Sequence, residues 1–248
     1  MFIPSAATID RCYDSALALI YPQGCAICSE SVESRHDGVV CEACWAGATL
    51  FAEDDALCWK CGAATAAIVR DDLRMIRCGR CNAHDFTAAR ACGLYAGVLR
   101  ASVLGLKRVP HVGRRLLRAL TSAQRRPPIS EANLIIPVPL HWKRERERGH
   151  NQAAILARAL ARTTGVDIDE HNLVRILHTE RHRAGLDARA RRDSVRGAFE
   201  VRAPKQICGR RVLLIDDVYT TGATVSECAS VLTAAGAEDV FVLTIARA

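Results

Sequence analysis

Aromatic residues are scarce, 5% of a 248-residue chain, which argues against a broad stacking platform for nucleic-acid bases. No run of 18 apolar residues occurs, so no membrane span is expected. The N-terminal stretch holds Asp10, Arg11 and Asp14 but no charged leader ahead of an apolar core. It does not read as a secretory signal, and the chain is expected in the reducing cytoplasm. There is no Ser/His/Asp nucleophile arrangement and no Walker-type phosphate loop, so neither acyl transfer nor P-loop chemistry is indicated.

Cysteine, in contrast, is abundant, with 12 in the chain and eight of them between residues 25 and 81. In a reducing compartment such a density means metal or redox chemistry rather than disulfides. The eight form four Cys-x-x-Cys pairs: Cys25/Cys28, Cys41/Cys44, Cys58/Cys61 and Cys78/Cys81. Two intervening residues let both thiolates of a pair reach one ion, and two pairs complete the closed tetrahedral shell of structural zinc. Two zinc ions per chain are expected. An iron–sulfur cluster is the alternative metal, and a redox dithiol would need only one pair. Sequential and interleaved pairing both remain open. Metal binding is expected to stand in for a core in this segment. His36 and His84 are surplus to eight thiolates and are expected to be exposed. The scattered Cys12, Cys92, Cys208 and Cys228 are read as small buried hydrophobes.

Charge divides the chain. Up to residue 89 there are 7 Lys/Arg against 12 Asp/Glu, and from residue 90 there are 27 against 15. An acidic module, 1–88, is expected to precede a basic domain, 89–248, whose net charge of +12 suits a polyphosphate or a polyanion. In the basic part, apolar runs at 91–96, 134–139 and 212–215, with weaker ones at 173–177 and 197–201 and a last one at 240–246, read as strands. They alternate with helical patterns at 98–107, 113–123, 151–164 and 223–235. The alternation predicts an α/β fold, a parallel sheet flanked by helices.

The stretch Val212–Thr224 carries the most information. A buried strand leads into Asp216 and Asp217, then a loop of hydroxyls and glycine, then a helix. Backbone N–H groups of Thr220, Thr221, Gly222, Ala223 and Thr224 at a helix start can cradle a phosphate. Adjacent carboxylates beside a phosphate cradle suit ribose hydroxyls, with Mg²⁺ nearby. Two other readings of the stretch are a response-regulator strand and an ordinary strand–turn–helix. Only 31 residues follow Asp217, against the hundred or more of a receiver domain.

The segment resembles the motif of type I phosphoribosyltransferases that binds 5-phosphoribosyl-1-pyrophosphate (PRPP). The resemblance implies that Asp216 and Asp217 hold the ribose hydroxyls and that Thr220–Thr224 bind the 5′-phosphate. More widely, the chain is similar to the ComF family, in which a zinc-ribbon module precedes a phosphoribosyltransferase-like domain. The Cys-x-x-Cys pairs, Pro137-Val-Pro139, Arg148-Gly149, Asn151-Gln152 and Arg196-Gly197-Ala198-Phe199 carry that likeness. It implies a pyrophosphate loop with Lys143, Arg144, Arg146 and Arg148, although the run KRERER also reads as a solvated helix face. It implies as well a closing loop with Arg181, Arg183, Arg189, Arg191 and Arg192. Two functions stay open: phosphoribosyl transfer to an unidentified acceptor, or a non-enzymatic role in DNA uptake, with single-stranded DNA and other uptake proteins as partners.

Overall fold

The computed structural model describes residues 23–65, 76–79, 81–177 and 193–248. Five parallel strands form the main sheet in the order β1-β7-β6-β2-β3. They are β1 (Ala88–Leu94), β2 (Leu134–Pro137), β3 (Asp167–Ile168), β6 (Arg211–Tyr219) and β7 (Asp239–Arg247). β4 (Leu173–Arg175) and β5 (Phe199–Val201) pair antiparallel outside this sheet, with Leu173 facing Val201. The helices are α1 (Glu42–Ala46), α2 (Gly97–Leu106), α3 (Arg114–Gln124), α4 (Trp142–Arg148), α5 (Gln152–Thr164) and α6 (Ala223–Ala234). The expected parallel sheet flanked by helices, preceded by a cysteine-rich module, is what the chain builds.

Side-chain alternation sorts the core into two layers. Along β6, Leu213 and Ile215 point to one face while Val212 and Leu214 point to the other; Phe241 and Leu243 alternate with Val240 and Val242 along β7. Strands buried on both sides read as continuous apolar runs, which is why they were visible in the sequence. The first face packs against α2, α3 and α5 through Leu99, Leu120, Leu156 and Leu160. The second packs against α6 through Cys228 and Leu232. Each layer also takes in half of the cysteine-rich module: Cys25, Val32, Val40 and Cys41 belong to the first, and Cys58, Cys61, Cys81 and Phe86 to the second. The cysteine segments are thus parts of the two cores.

Several expectations need correcting. β1 begins at Ala88 rather than residue 91, because small alanines, poor in strand propensity, pair with β7 and are buried there. The KRERER run lies in a helix, α4, started by the His141 side chain accepting from the Lys143 N–H and ended by left-handed Gly149. β3 is too short to leave a pattern. The weak strands β4 and β5 do not join the parallel sheet; their buried Leu173 and Phe199 instead cover the α6 face. Cys92 and Cys228 are buried, but Cys208 is exposed in the turn that meets Gly236, and Cys12 lies outside the described residues. His36 and His84 are half-buried: His36 approaches His111 edge-on at 6.1 Å, and His84 stacks on Phe86 at 5.1 Å.

Gly62 shows how tightly the module is seated. It has φ +67°, and a Cβ there would lie 2.7 Å from the Ala89 carbonyl oxygen of β1. Gly62→Ala is expected to cost about 1–3 kcal/mol through strain and overlap. Gly209→Ala, equally left-handed but in open space, should cost less, as thermal melts of both variants will show.

Candidate functional site

The eight paired cysteines gather into two clusters, Cys25/Cys28/Cys41/Cys44 and Cys58/Cys61/Cys78/Cys81. This settles the pairing as sequential. Sulfur–sulfur distances are 3.9 Å for Cys25–Cys44, 3.6 Å for Cys28–Cys41, 3.7 Å for Cys58–Cys81 and 3.5 Å for Cys61–Cys78. Four sulfurs at zinc-bonding distance from one ion would be ~3.8 Å apart along a tetrahedral edge, so both clusters fit zinc. The turns also donate to sulfur: Cys41 N–H reaches Cys25 Sγ at 3.4 Å, and Cys78 N–H reaches Cys58 Sγ at 3.4 Å. Burial opposes ionisation of Cys25 and Cys58, yet these N–H groups and their neighbours bring both down to about 6. Burial and the adjoining sulfurs push Cys44 up to about 12. Four thiols this close shed their protons together only around a cation.

A second constellation lies where the sheet changes direction. From β2 the chain moves outward to β3; from β6 it moves the other way to β7. Open parallel sheets bind ligands at such a switch point, beyond the carboxyl ends of the strands. β2 stops at Pro137, and its last bond to β6 runs from Val138 N–H to the Ile215 carbonyl at 2.9 Å. β6 continues, pairing with β7 from Asp216–Thr244 to Tyr219–Arg247. Asp216 and Asp217 are therefore inside a strand rather than past its end, and they flank the notch that β2 vacates. Asp216 Oδ1 accepts from Asp217 N–H at 2.8 Å, and Lys107 Nζ, just after α2, is 3.7 Å from Asp217 Oδ2.

The loop Thr220–Gly222 leads into α6. Gly222 is its N-cap in the left-handed region, φ +76°, where a Cβ would overlap the Tyr219 hydroxyl. Thr220 is exposed, Thr221 and Thr224 are half-buried, and Ala223 is buried. Across the notch, Asn151 caps α5 by accepting from Ala153 N–H at 3.0 Å and donates to the Val138 carbonyl at 3.1 Å. That bond fixes the Pro137–Pro139 turn. Lys143, Arg146 and Arg148 are exposed on α4 and Arg144 is half-buried; Arg148 donates to Gln152 Oε1 at 3.0 Å. Arg181, Arg183, Arg189, Arg191 and Arg192 lie outside the described residues.

Residues 16–93 match the double zinc ribbon domain. Competence protein F of Haemophilus influenzae is 37% identical over 138 residues, 55% of this chain and 60% of that protein. The DNA utilization protein YhgH of Escherichia coli K12 is 34% identical over 136 residues, 55% of this chain and 59% of that protein. Competence protein ComFC of Bacillus subtilis is 34% identical over 91 residues, 37% of this chain and 34% of that protein. The chain is thus similar to competence and DNA utilization proteins over about half of its length. It spans about three-fifths of the length of the first two relatives and about a third of ComFC. Solved structures that overlap it include the B. subtilis glutamine PRPP amidotransferase complexed with ADP and GMP, at 20% identity, TM-score 0.35, 52% of this chain and 25% of that one. Another is a Pyrococcus horikoshii purine phosphoribosyltransferase, at 14% identity, TM-score 0.34, 54% of this chain and 81% of that one. The fold class rests on the strand order and the helices on both faces rather than on those overlaps.

The paired acids are electrostatically costly. Burial and the Asp217 charge push Asp216 up to about 8, against the Asp217 N–H, Lys107 and Arg175, which pull it down. Sequence reasoning missed Lys107 and Arg175. Neither belongs to a spaced motif, and the sheet alone brings them to the acids. Tyr219 was passed over too, since it is one letter in a strand. His150 Nε2 donates to the Leu106 carbonyl at 2.8 Å, tying the start of α5 to the end of α2.

Two outcomes follow. The purified protein should contain two zinc ions per chain by elemental analysis, and iron with sulfide would contradict the site chemistry. Because Asp216 keeps its proton in the fold but loses it on unfolding near its ordinary 3.8, wild-type stability should fall as pH rises from about 4 to about 8 and level off above. Asp216→Asn should remove that slope and melt higher than wild type at pH 8.

Proposed function

We propose that this protein binds PRPP at the β2/β6 switch point, with Mg²⁺, and carries zinc as a structural metal in both cysteine clusters. Residues 1–88 serve as the metal module and 89–248 as the phosphoribosyl-binding body. The observation that carries the reading is the placement of Asp216 and Asp217 in the notch left by β2, next to the α6 N-terminus and its Thr220–Thr224 loop. Asp216 and Asp217 accept from the ribose hydroxyls. The N–H groups and hydroxyls of Thr220, Thr221, Gly222, Ala223 and Thr224 hold the 5′-phosphate at the positive end of α6. Lys107 and Arg175 limit the repulsion between the acids and the phosphates.

In the catalytic form of the proposal, the C1–O bond to diphosphate breaks and diphosphate leaves with the electron pair. An acceptor lone pair forms the new bond to C1, and the acceptor's proton passes to solvent. Mg²⁺ supplies charge neutralisation of the diphosphate when bound. Lys143, Arg144, Arg146 and Arg148 on α4, with the arginines of 181–192, offset the remaining charge, and the two acids stabilise the positive ring. This chemistry fits a cytoplasmic protein.

A second reading has its own support. Relatives are named for competence and for DNA utilization, and the part from residue 90 has a net charge of +12. The same body then handles single-stranded DNA without transfer, alongside other uptake proteins. Diphosphate release on incubation with PRPP and candidate acceptors separates the two readings.

Replacing both acids, Asp216→Asn with Asp217→Asn, is expected to weaken Mg-PRPP binding by at least about tenfold, since a hydrogen bond to charged Asp217 alone contributes ~1.5–3 kcal/mol. Calorimetric titration reads the affinity. Unchanged affinity in the folded double variant would remove the acids from the ribose site.

A further inference from the structure

The 5′-phosphate loop proposed above begins after Tyr219 and ends in the first turn of α6. Both of its ends are held by the second cysteine cluster and the strand that leaves it. On the entry side, Arg247 at the end of β7 lies beside Tyr219 in the sheet register. Its Nη1 donates to the Cys61 carbonyl at 2.6 Å, its Nη2 is 3.7 Å from Cys61 Sγ, and its guanidinium lies 4.3 Å over the Tyr219 ring. Four thiolates around a divalent ion leave a net charge of −2, so a guanidinium at one sulfur offsets part of that charge and is fixed by it. Tyr219 is itself buried, edge-on to Phe86 at 6.1 Å and to His84 at 6.4 Å, and its hydroxyl lies where any Cβ of Gly222 would be. The left-handed cap of α6 is therefore moulded against a ring that Arg247 clamps.

On the exit side, Asp85 follows Cys81 by four residues. Its N–H donates to Ser226 Oγ at 3.1 Å, and its carboxylate accepts from that hydroxyl at 2.9 Å. Ser226 N–H in turn donates to the Gly222 carbonyl at 2.8 Å, closing the first turn of α6. Lys60 Nζ, inside the Cys58–Cys61 turn, donates to the His84 carbonyl at 2.7 Å and fixes the approach to Asp85. Between the two anchors a cavity of about 530 Å³ has Cys78 and Cys81 on one wall and Thr220 and Thr221 on another. The loop's hold on the cluster runs through the anchors at either end. The first cluster has different ties: its segment pairs Asp37 with Arg114 at 3.1 Å and with Arg115 at 3.2 Å, and Glu42 with Arg115 at 2.8 Å, all on α3 at the opposite face.

We infer that the second cysteine cluster positions the phosphate loop, with Arg247 as the positioning residue that links Cys61 to Tyr219. The first cluster supports the fold alone. The consequence for anion binding rests on the PRPP reading; the coupling of cluster to loop does not. Arg247→Met keeps the stem and removes the guanidinium. It should retain two zinc ions per chain and weaken Mg-PRPP binding by ~10-fold, the low end for loss of an outer-shell partner. Arg247→Lys should lie between the two. Arg115→Met, which removes the tie at the first cluster, should lower the melting temperature and leave affinity unchanged. Hydrogen–deuterium exchange without ligand provides the deciding readout: amides of 220–226 should exchange faster in Arg247→Met and in Cys78→Ser, and at the wild-type rate in Cys28→Ser and Arg115→Met. Weaker binding with unchanged loop exchange would make Arg247 a direct charge contact and overturn the inference, as would equal acceleration from the two clusters. Absence of PRPP binding by the wild-type protein would overturn the PRPP reading, while the exchange comparison still decides the coupling.

Discussion

Four thiols brought within 4.8 Å of one another repel as they ionise, and only a shared cation turns that repulsion into a cross-link. This constraint operates twice in the chain, once against each face of the sheet. Cys25 and Cys41 lie in the layer with α2, α3 and α5, and Cys58, Cys61 and Cys81 lie in the layer with α6. The β1 edge is engaged by the same segments: Ala89 N–H donates to the Lys60 carbonyl at 2.7 Å, and Phe51 N–H donates to the Cys92 carbonyl at 2.8 Å. Metal binding here is folding energy for the segments that finish the two cores, so the metal module and the α/β body are mechanically one object across these contacts.

The candidate ligand site carries the opposite kind of constraint. Two neighbouring carboxyl groups inside β6, beyond the point where β2 stops, weaken the fold, and Lys107 at 3.7 Å from Asp217 compensates only in part. Half-burial of Asp216, whose carboxyl accepts from the Asp217 N–H alone among the described hydrogen bonds, makes sense where a ligand supplies further donors. In the proposed reading, ribose hydroxyls would do so without adding charge, and the α6 N-terminus beside them would take the anion. A stability cost concentrated in the notch beside β2, next to a loop of hydroxyls, is what a site shaped for binding rather than packing would carry.

The legible parts of the sequence were those in which one physical rule acts locally. Cys-x-x-Cys spacing follows from the reach of two thiolates, and the apolar runs of β6 and β7 follow from burial on both faces. The Asn151 cap and the Gly222 turn follow from local backbone chemistry. What escaped depends on long-range placement. The pairing of the four cysteine pairs is set by how the ribbons lie on the sheet. The continuation of β6 through Asp216 and Asp217 is set by the length of β7, since β6 alone gives no sign of where β2 departs. Lys107, Arg175 and Arg247 matter for what they face across 41 to 186 residues: Asp217, Asp216 and Cys61. The antiparallel pair β4/β5 was taken for more of the parallel sheet because three-residue strands have no readable period.

In the proposed function the notch between β2 and β6 holds phosphoribosyl diphosphate by both of its ends. A ³¹P NMR titration of Mg-PRPP with the zinc-loaded protein tests it directly. The account predicts that the 5′-phosphate resonance and both diphosphate resonances broaden and shift together, at stoichiometric protein, and that ribose 5-phosphate displaces the effect on the 5′-phosphate. Perturbation of the diphosphate resonances alone would mean non-specific capture of a polyanion by a basic surface and would contradict it.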